Sequence, residues 1–155
     1  MTVRIGYAGG VFDLFHIGHL NILQQARSHC DYLVAGVLSD ERCEADKGIR
    51  PVIPLSERLE IVGNVKCVDE ALPEVFADKL DTWAQVGFNV YFKGDDWRGT
   101  AKGRDLERRF GEVGVEVVYF PYTMHTSSTV LRQALAVITG PAGRDATGAA
   151  AHGGR

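Results

Sequence analysis

Short apolar runs alternate with stretches of helical periodicity along most of the chain, and that order leaves few folds open to it. VRIGYAG (3–9) ends in glycine and reads as a buried strand. IGHLNILQQARSHC (17–30) sets Ile17, Leu20, Leu23 and Ala26 near helical spacing, as an amphipathic helix does. DYLVAGVL (31–38) reads as a second buried strand. SDERCEADKGIRPVIP (39–54), polar and holding Gly48, Pro51 and Pro54, is expected to be mostly loop. PLSERLEIVGNV (54–65) predicts a helix with Ser56 in the cap position. Beyond it, KCVDEALPE (66–74) holds a short strand and VFADKLDTWAQVG (75–87) a helix closed by Gly87. NVYFKGDDW (89–97) is a strand running into a polar turn, and GRDLERRFGEVG (103–114) a charged helix. VEVVYFP (115–121) is a strand stopped by Pro121, and SSTVLRQALAVI (127–138) the last helix. The alternation predicts an α/β fold: a single Rossmann-like parallel sheet with helices on both faces. From Gly140 the sequence GPAGRDATGAAAHGGR has no apolar periodicity and cannot offset its ordering entropy. One domain over 1–139 and a disordered tail over 140–155 are therefore expected.

Several classes of function fall away on bulk properties. The 155 residues suit one domain with a real core, and a net charge of −3 argues against a general nucleic-acid binder. No apolar stretch approaches the ~20 residues of a membrane span, and MTVRIGYAGG does not read as a signal peptide. Cys30, Cys43 and Cys67 are irregularly spaced, giving neither a zinc pattern nor a disulfide framework. A cytoplasmic setting is the expectation.

In a parallel sheet ligands sit at the carboxyl ends of the strands. Three polar clusters fall there: GGVFDLFHIGH (9–19), KGDDW (93–97) and YTMHTSST (122–129). His16 and His19 share one face at the opening of a helix, where free N–H groups and the helix dipole favour an anion. Gly9 and Gly10 permit a tight turn, and Gly18 lets a ligand approach the backbone. These features describe a phosphate cradle with two imidazole donors. Two other readings compete: a zinc-binding pair, which needs a third ligand at a suitable spacing, and a pair of capping or half-buried histidines. The strand-then-helix context favours the cradle. Asp95 and Asp96 suit a solvated turn, but the strand before them favours ligand contact. Trp83 and Phe88 read as core, and Arg104, Arg108 and Arg109 with Asp105 and Glu107 as a solvated helix face.

The residues GGVFDLFHIGH resemble the signature of the HxGH nucleotidyltransferases, in particular the small cytidylyltransferases that act on glycerol 3-phosphate. The resemblance extends over roughly residues 3–136, through DYLVAGVLSDE (31–41), SERLEIVGNVKCVDEALPE (56–74), FKGDDWRG (92–99) and TSSTVLRQAL (126–135). It implies transfer of CMP from CTP to a small phosphorylated alcohol, giving a CDP-alcohol and pyrophosphate. The catalytic set it implies is His16, His19, Lys47 and Arg58, with Arg50 a weaker phosphate clamp. Nucleotide contacts are expected from Gly10, Val11, Phe12, Gly18, Gly94, Asp95, Tyr122, Thr126, Ser127 and Ser128. Acceptor contacts are expected from Asp13, Lys66, Asp96 and Trp97. Mg²⁺ would be held mainly by the triphosphate, with no dedicated protein site. A homodimer is also implied. One departure stands out: where the family usually places an arginine after a proline, Pro121 is followed by Tyr122, which supplies no fixed positive charge. KGIRPVIPLSER also resembles a loop of the heptose-phosphate adenylyltransferases, which use ATP. An ATP-dependent adenylyltransferase and a non-catalytic nucleotide-binding module are the alternatives.

Overall fold

The computed structural model describes residues 2–121 and 127–139; Tyr122, His125, Thr126 and the segment from Gly140 lie outside them. The elements in chain order are β1 (Ile5–Gly10), α1 (Ile17–Arg27), β2 (Tyr32–Leu38), α2 (Asp40–Lys47), α3 (Leu55–Gly63) and β3 (Glu70–Glu74). Then follow α4 (Lys79–Val86), β4 (Val90–Gly94), a 3₁₀ turn (Asp95–Trp97), α5 (Ala101–Glu112), β5 (Glu116–Phe120) and α6 (Ser128–Thr139). All strands pair in parallel, in the order β3-β2-β1-β4-β5. The chain runs outward from β1 in one direction and then restarts beside it with β4. That reversal opens a crevice at the carboxyl ends of β1 and β4, where ligands of open α/β sheets bind.

Strand alternation divides the core in two. On one face Ala8, Leu33, Ala35, Val37 and Phe92 pack against Leu23 and Ala26 of α1 and Val62 of α3. On the other, Tyr7, Val34 and Tyr91 pack against Leu106 and Phe110 of α5, with Leu80 and Trp83 of α4 beside them. Each fully buried Leu or Phe contributes about 1.5–3 kcal/mol. Trp83 and Phe88 are core residues as expected, and Trp83 donates its indole N–H to the Phe88 carbonyl at 3.1 Å.

Two local expectations are corrected. Residues 40–47 form a helix, α2, in place of a loop. Ser39 caps it by accepting the Arg42 N–H at 3.0 Å, and Asp40 and Glu41 occupy its first turn. Only Cys43 of this helix is buried, so it lacks the apolar stripe by which a helix is read from sequence. Ser56 does not cap α3; Pro54 holds the cap position without a side-chain bond, and the Leu55 N–H goes to Asp40 at 3.4 Å.

Candidate active site

His16 caps α1, and its Nδ1 accepts the Gly18 N–H at 3.1 Å. His19 reaches back one turn, its Nδ1 accepting the His16 N–H at 3.2 Å. The two rings lie 3.9 Å apart, and His19 also packs on Phe12 and Phe15. The capping reading is thus realised, and the same arrangement sets the two rings side by side at the helix start. With each Nδ1 accepting from backbone, each neutral ring carries its proton on Nε2, which faces the Ser128 oxygen in His16 and is left for a ligand in His19. Burial pushes His16 below its ordinary pKa. Burial, then the neighbouring His16, pushes His19 down to about 4, against the opposing charge of Asp13. Near neutral pH the pair therefore offers neutral N–H donors. Among the described residues no group of three or more His, Cys, Asp or Glu is placed to hold a metal ion. Gly18 is buried with its N–H taken by His16, so it supports the cap and does not border the crevice.

The loop between β1 and α1 is held in an unusual shape. Phe12 and Leu14 adopt positive φ (54° and 51°), a region costly for side chains with a Cβ. This turns Asp13, 1% exposed, inward, where its two oxygens accept the Val52 and Ile53 N–H groups at 2.9 and 3.0 Å. Arg132 of α6 lies 3.5 Å from the same carboxylate. Asp13 therefore positions the 52–53 loop while also bordering the cavity beside the histidines. The Ser128 hydroxyl donates to the Asp13 carbonyl at 2.7 Å, and its oxygen lies 3.3 Å from His16 Nε2. Ser127 caps the start of α6, accepting the Val130 N–H at 3.1 Å. The last helix is thereby brought against the histidines.

These groups border a cavity of about 490 Å³ on the α1 side of the sheet edge. Gly10, Val11, Phe12, His16 and His19 line one wall. Gly94, Asp96, Ser127, Ser128 and Lys47 line the rest. A second cavity of about 490 Å³ opens on the α4–α5 side and includes Trp97, Lys79 and Glu74. Gly9, Gly10, Lys47 and Lys93 border both, so the two meet at the end of β1. Lys93, whose pKa burial lowers against the pull of Asp96, rests its ammonium 4.0 Å over the Trp97 ring. Sequence reading passed over Lys93, although it ends β4 directly before GDDW, and over Arg132, which carries no motif.

Besides Gly18, other expected site residues lie elsewhere. Arg58 is 0% exposed and borders neither cavity. Its guanidinium donates to the carbonyls of Ile53, Val11 and Leu38 at 2.7–2.8 Å and to Asp40 at 2.6 Å. It is a brace joining β1, β2 and the 53 loop, not a phosphate clamp. Against the effect of burial, hydrogen bonds from Arg58 and the Leu55 N–H hold the Asp40 carboxyl below its ordinary range. Lys66 is exposed in the connection entering β3, at the amino edge of a parallel sheet and opposite the crevice. Acceptor binding by Lys66 is thus corrected. Asp95 borders neither cavity; its carbonyl accepts the Arg98 N–H that closes the 3₁₀ turn. Asp96 and Trp97 divide between the two cavities, Asp96 on the histidine side. Arg50 is exposed and pairs with Glu44 at 3.0 Å. The expected nucleotide contacts of Tyr122 and Thr126 lie outside the described residues.

A doubly wound parallel sheet with polar side chains gathered at its switch point is an α/β architecture of the nucleotidyltransferase type. The crystal structure of a lipopolysaccharide core biosynthesis protein from Thermoplasma volcanium shares the fold, with a TM-score of 0.68 at 24% identity over 81% of this chain and 100% of that one. A cytidylyltransferase-like family model matches residues 7–134, and the chain belongs to that family. It is similar to the ethanolamine-phosphate cytidylyltransferase of Arabidopsis thaliana, 46% identical over 101 residues, 61% of this chain and 23% of that protein. It is also similar to the FAD synthase of Thermococcus sibiricus, 32% identical over 115 residues, 74% of this chain and 78% of that protein. The chain spans about a quarter of the length of the longer curated relatives it matches.

Proposed function

We propose that the protein transfers CMP from CTP to a small phosphorylated alcohol, such as glycerol 3-phosphate, releasing pyrophosphate. The observation that carries this reading is the histidine pair, locked by its own cap at the switch point of the sheet, with the His19 Nε2–H left for a ligand and the His16 Nε2–H shared with the Ser128 oxygen. An acceptor phosphate oxygen forms a bond to the α-phosphorus, and the bond from that phosphorus to the β-bridging oxygen breaks. The nucleophile is already anionic and pyrophosphate leaves as an anion, so no enzyme nucleophile is needed. Catalysis is then positioning and charge stabilisation. In this reading His16 and His19 donate to the α-phosphoryl oxygens as charge builds there, and Lys47 and Lys93 stand where the two cavities join. The lining offers N–H and ammonium donors more than carboxylates. That suits a Mg²⁺ ion carried on the triphosphate, where it would neutralise phosphate charge.

Pyrophosphate release with CTP, ATP, GTP and UTP against a panel of polyol, sugar and amino-alcohol phosphates tests the reading. Turnover with CTP is expected, and its absence with every acceptor would sink the proposal. A second reading, an ATP-dependent adenylyltransferase, is favoured by the FAD synthase relative, of whose length the chain covers 78%; preference for ATP in the same panel selects it. A homodimer in the cytoplasm belongs to the same proposal, and light scattering on the purified protein tests the dimer.

A further inference from the structure

Glu74 ends β3 at the same sheet edge and is 1% exposed, yet it borders the second cavity. The fold builds a seat for its carboxylate. The Tyr7 side chain, from β1, crosses β2 over Gly36, where a Cβ would lie 1.7 Å from the Tyr7 hydroxyl. That hydroxyl donates to Glu74 Oε1 at 3.1 Å. Glu74 Oε2 lies 3.3 Å from where Gly9 would carry a Cβ, so the carboxylate rests against the glycine that also borders the histidine cavity. Lys79 Nζ lies 3.1 Å from Oε2 as counter-ion, but Oε2 accepts no hydrogen bond among the described residues. A buried acceptor left unsatisfied is costly unless a ligand completes it.

The charges around this cavity say what the ligand's group is. All its carboxylates have ion-pair partners: Glu74 with Lys79, Asp78 with Arg109, Asp105 with Arg108 and Asp46 with Arg42. Lys47, Lys93 and Lys102, which also border it, have no such partner among the described residues. Lys93 and Lys102 lie 4.0 and 5.7 Å from the centre of the Trp97 ring, occupying the surface that would otherwise attract an ammonium. The unpaired lysines disfavour a cationic tail, and Glu74 Oε2, ion-paired with Lys79 but accepting no hydrogen bond among the described residues, is the acceptor the cavity offers a hydroxyl.

We infer that Glu74 is the specificity-determining residue for the acceptor: it takes a hydrogen bond from a hydroxyl of a polyol or sugar phosphate whose phosphate lies at the Lys47–Lys93 junction, and the cavity disfavours amino-alcohol phosphates. This rests on the transferase reading above and names its substrate class. Calorimetry of the full chain with glycerol 3-phosphate, ethanolamine phosphate and methyl phosphate tests it, in wild type and Glu74→Gln. The wild type is expected to bind glycerol 3-phosphate about tenfold more tightly than either other ester, and Glu74→Gln to lose most of that preference. Preference for ethanolamine phosphate, equal weakening toward all three esters, or an unchanged preference overturns the inference. Should Glu74→Gln fail to fold by circular dichroism, Tyr7→Phe removes the group that orients Oε1, and an unchanged preference there overturns it equally. Pyrophosphate release with CTP on the same panel separates the two claims. Glu74-dependent preference in binding without turnover removes the transferase reading alone. Turnover without that preference removes the Glu74 assignment alone.

Discussion

His19 shows how one side chain serves cap and site together. Its Nδ1 accepts the His16 N–H only while the ring is neutral, and its folded pKa of about 4 lies below the unfolded 6.5. The unfolded chain then binds more protons in that window. The stabilisation is complete above pH 6.5 and is lost as pH falls toward 4, by about 3 kcal/mol. Urea titrations across that range should show the loss in wild type and a flatter profile in His19→Gln, which keeps an acceptor that does not titrate there. Arg58 makes the contrast. Arg58→Lys keeps the charge but cannot meet three carbonyls and Asp40 at once, so unfolding free energy should fall by about 3 kcal/mol. An unchanged urea midpoint with lost turnover would instead restore Arg58 to the phosphates.

At the scale of elements, the crevice depends on contacts between segments far apart in sequence. Asp13 holds the 52–53 loop, while Ser128 ties α6 to the β1–α1 turn and to His16. Asp13→Asn leaves one of the two loop amides without its acceptor. Hydrogen exchange at the Val52 or Ile53 amide should quicken about tenfold, with the β1 and β2 amides retaining their protection. At this scale the sequence was legible where periodicity was strong: five strands and the helices α1, α3, α4, α5 and α6 fall close to their expected spans. It was illegible at α2, whose polar residues show no stripe, and at Lys66. KCVDEALPE holds the expected strand, but β3 begins only at Glu70, which leaves Lys66 at the far edge of the sheet.

Across the whole molecule, the sheet carries both cores and both cavities, and the buried Tyr7 side chain approaches it closely over Gly36, where no Cβ stands. Gly36→Ala should disturb both functions of that approach. A methyl 1.7 Å from the Tyr7 hydroxyl forces the buried Tyr7 side chain to move, lowering stability by about 2 kcal/mol, and it displaces the donor that seats Glu74. Thermal denaturation of Gly36→Ala, Tyr7→Phe and the double variant would show a coupling of about 1 kcal/mol between the two positions. Additive losses would mean that Tyr7 does not depend on the gap over Gly36. Among the described residues no helix is long and apolar enough to cross a membrane. By itself the sequence determined the strand–helix order, the parallel sheet and the place of His16 and His19, because periodicity and a strand-end motif are local properties. Only the tertiary structure decided which charged groups face the crevice. Arg58 turned away to carbonyls contributed by Val11, Leu38 and Ile53, while Lys93 and Glu74 turned in. The direction a buried charge takes depends on partners that distant segments bring to it, and spacing along the chain does not record them.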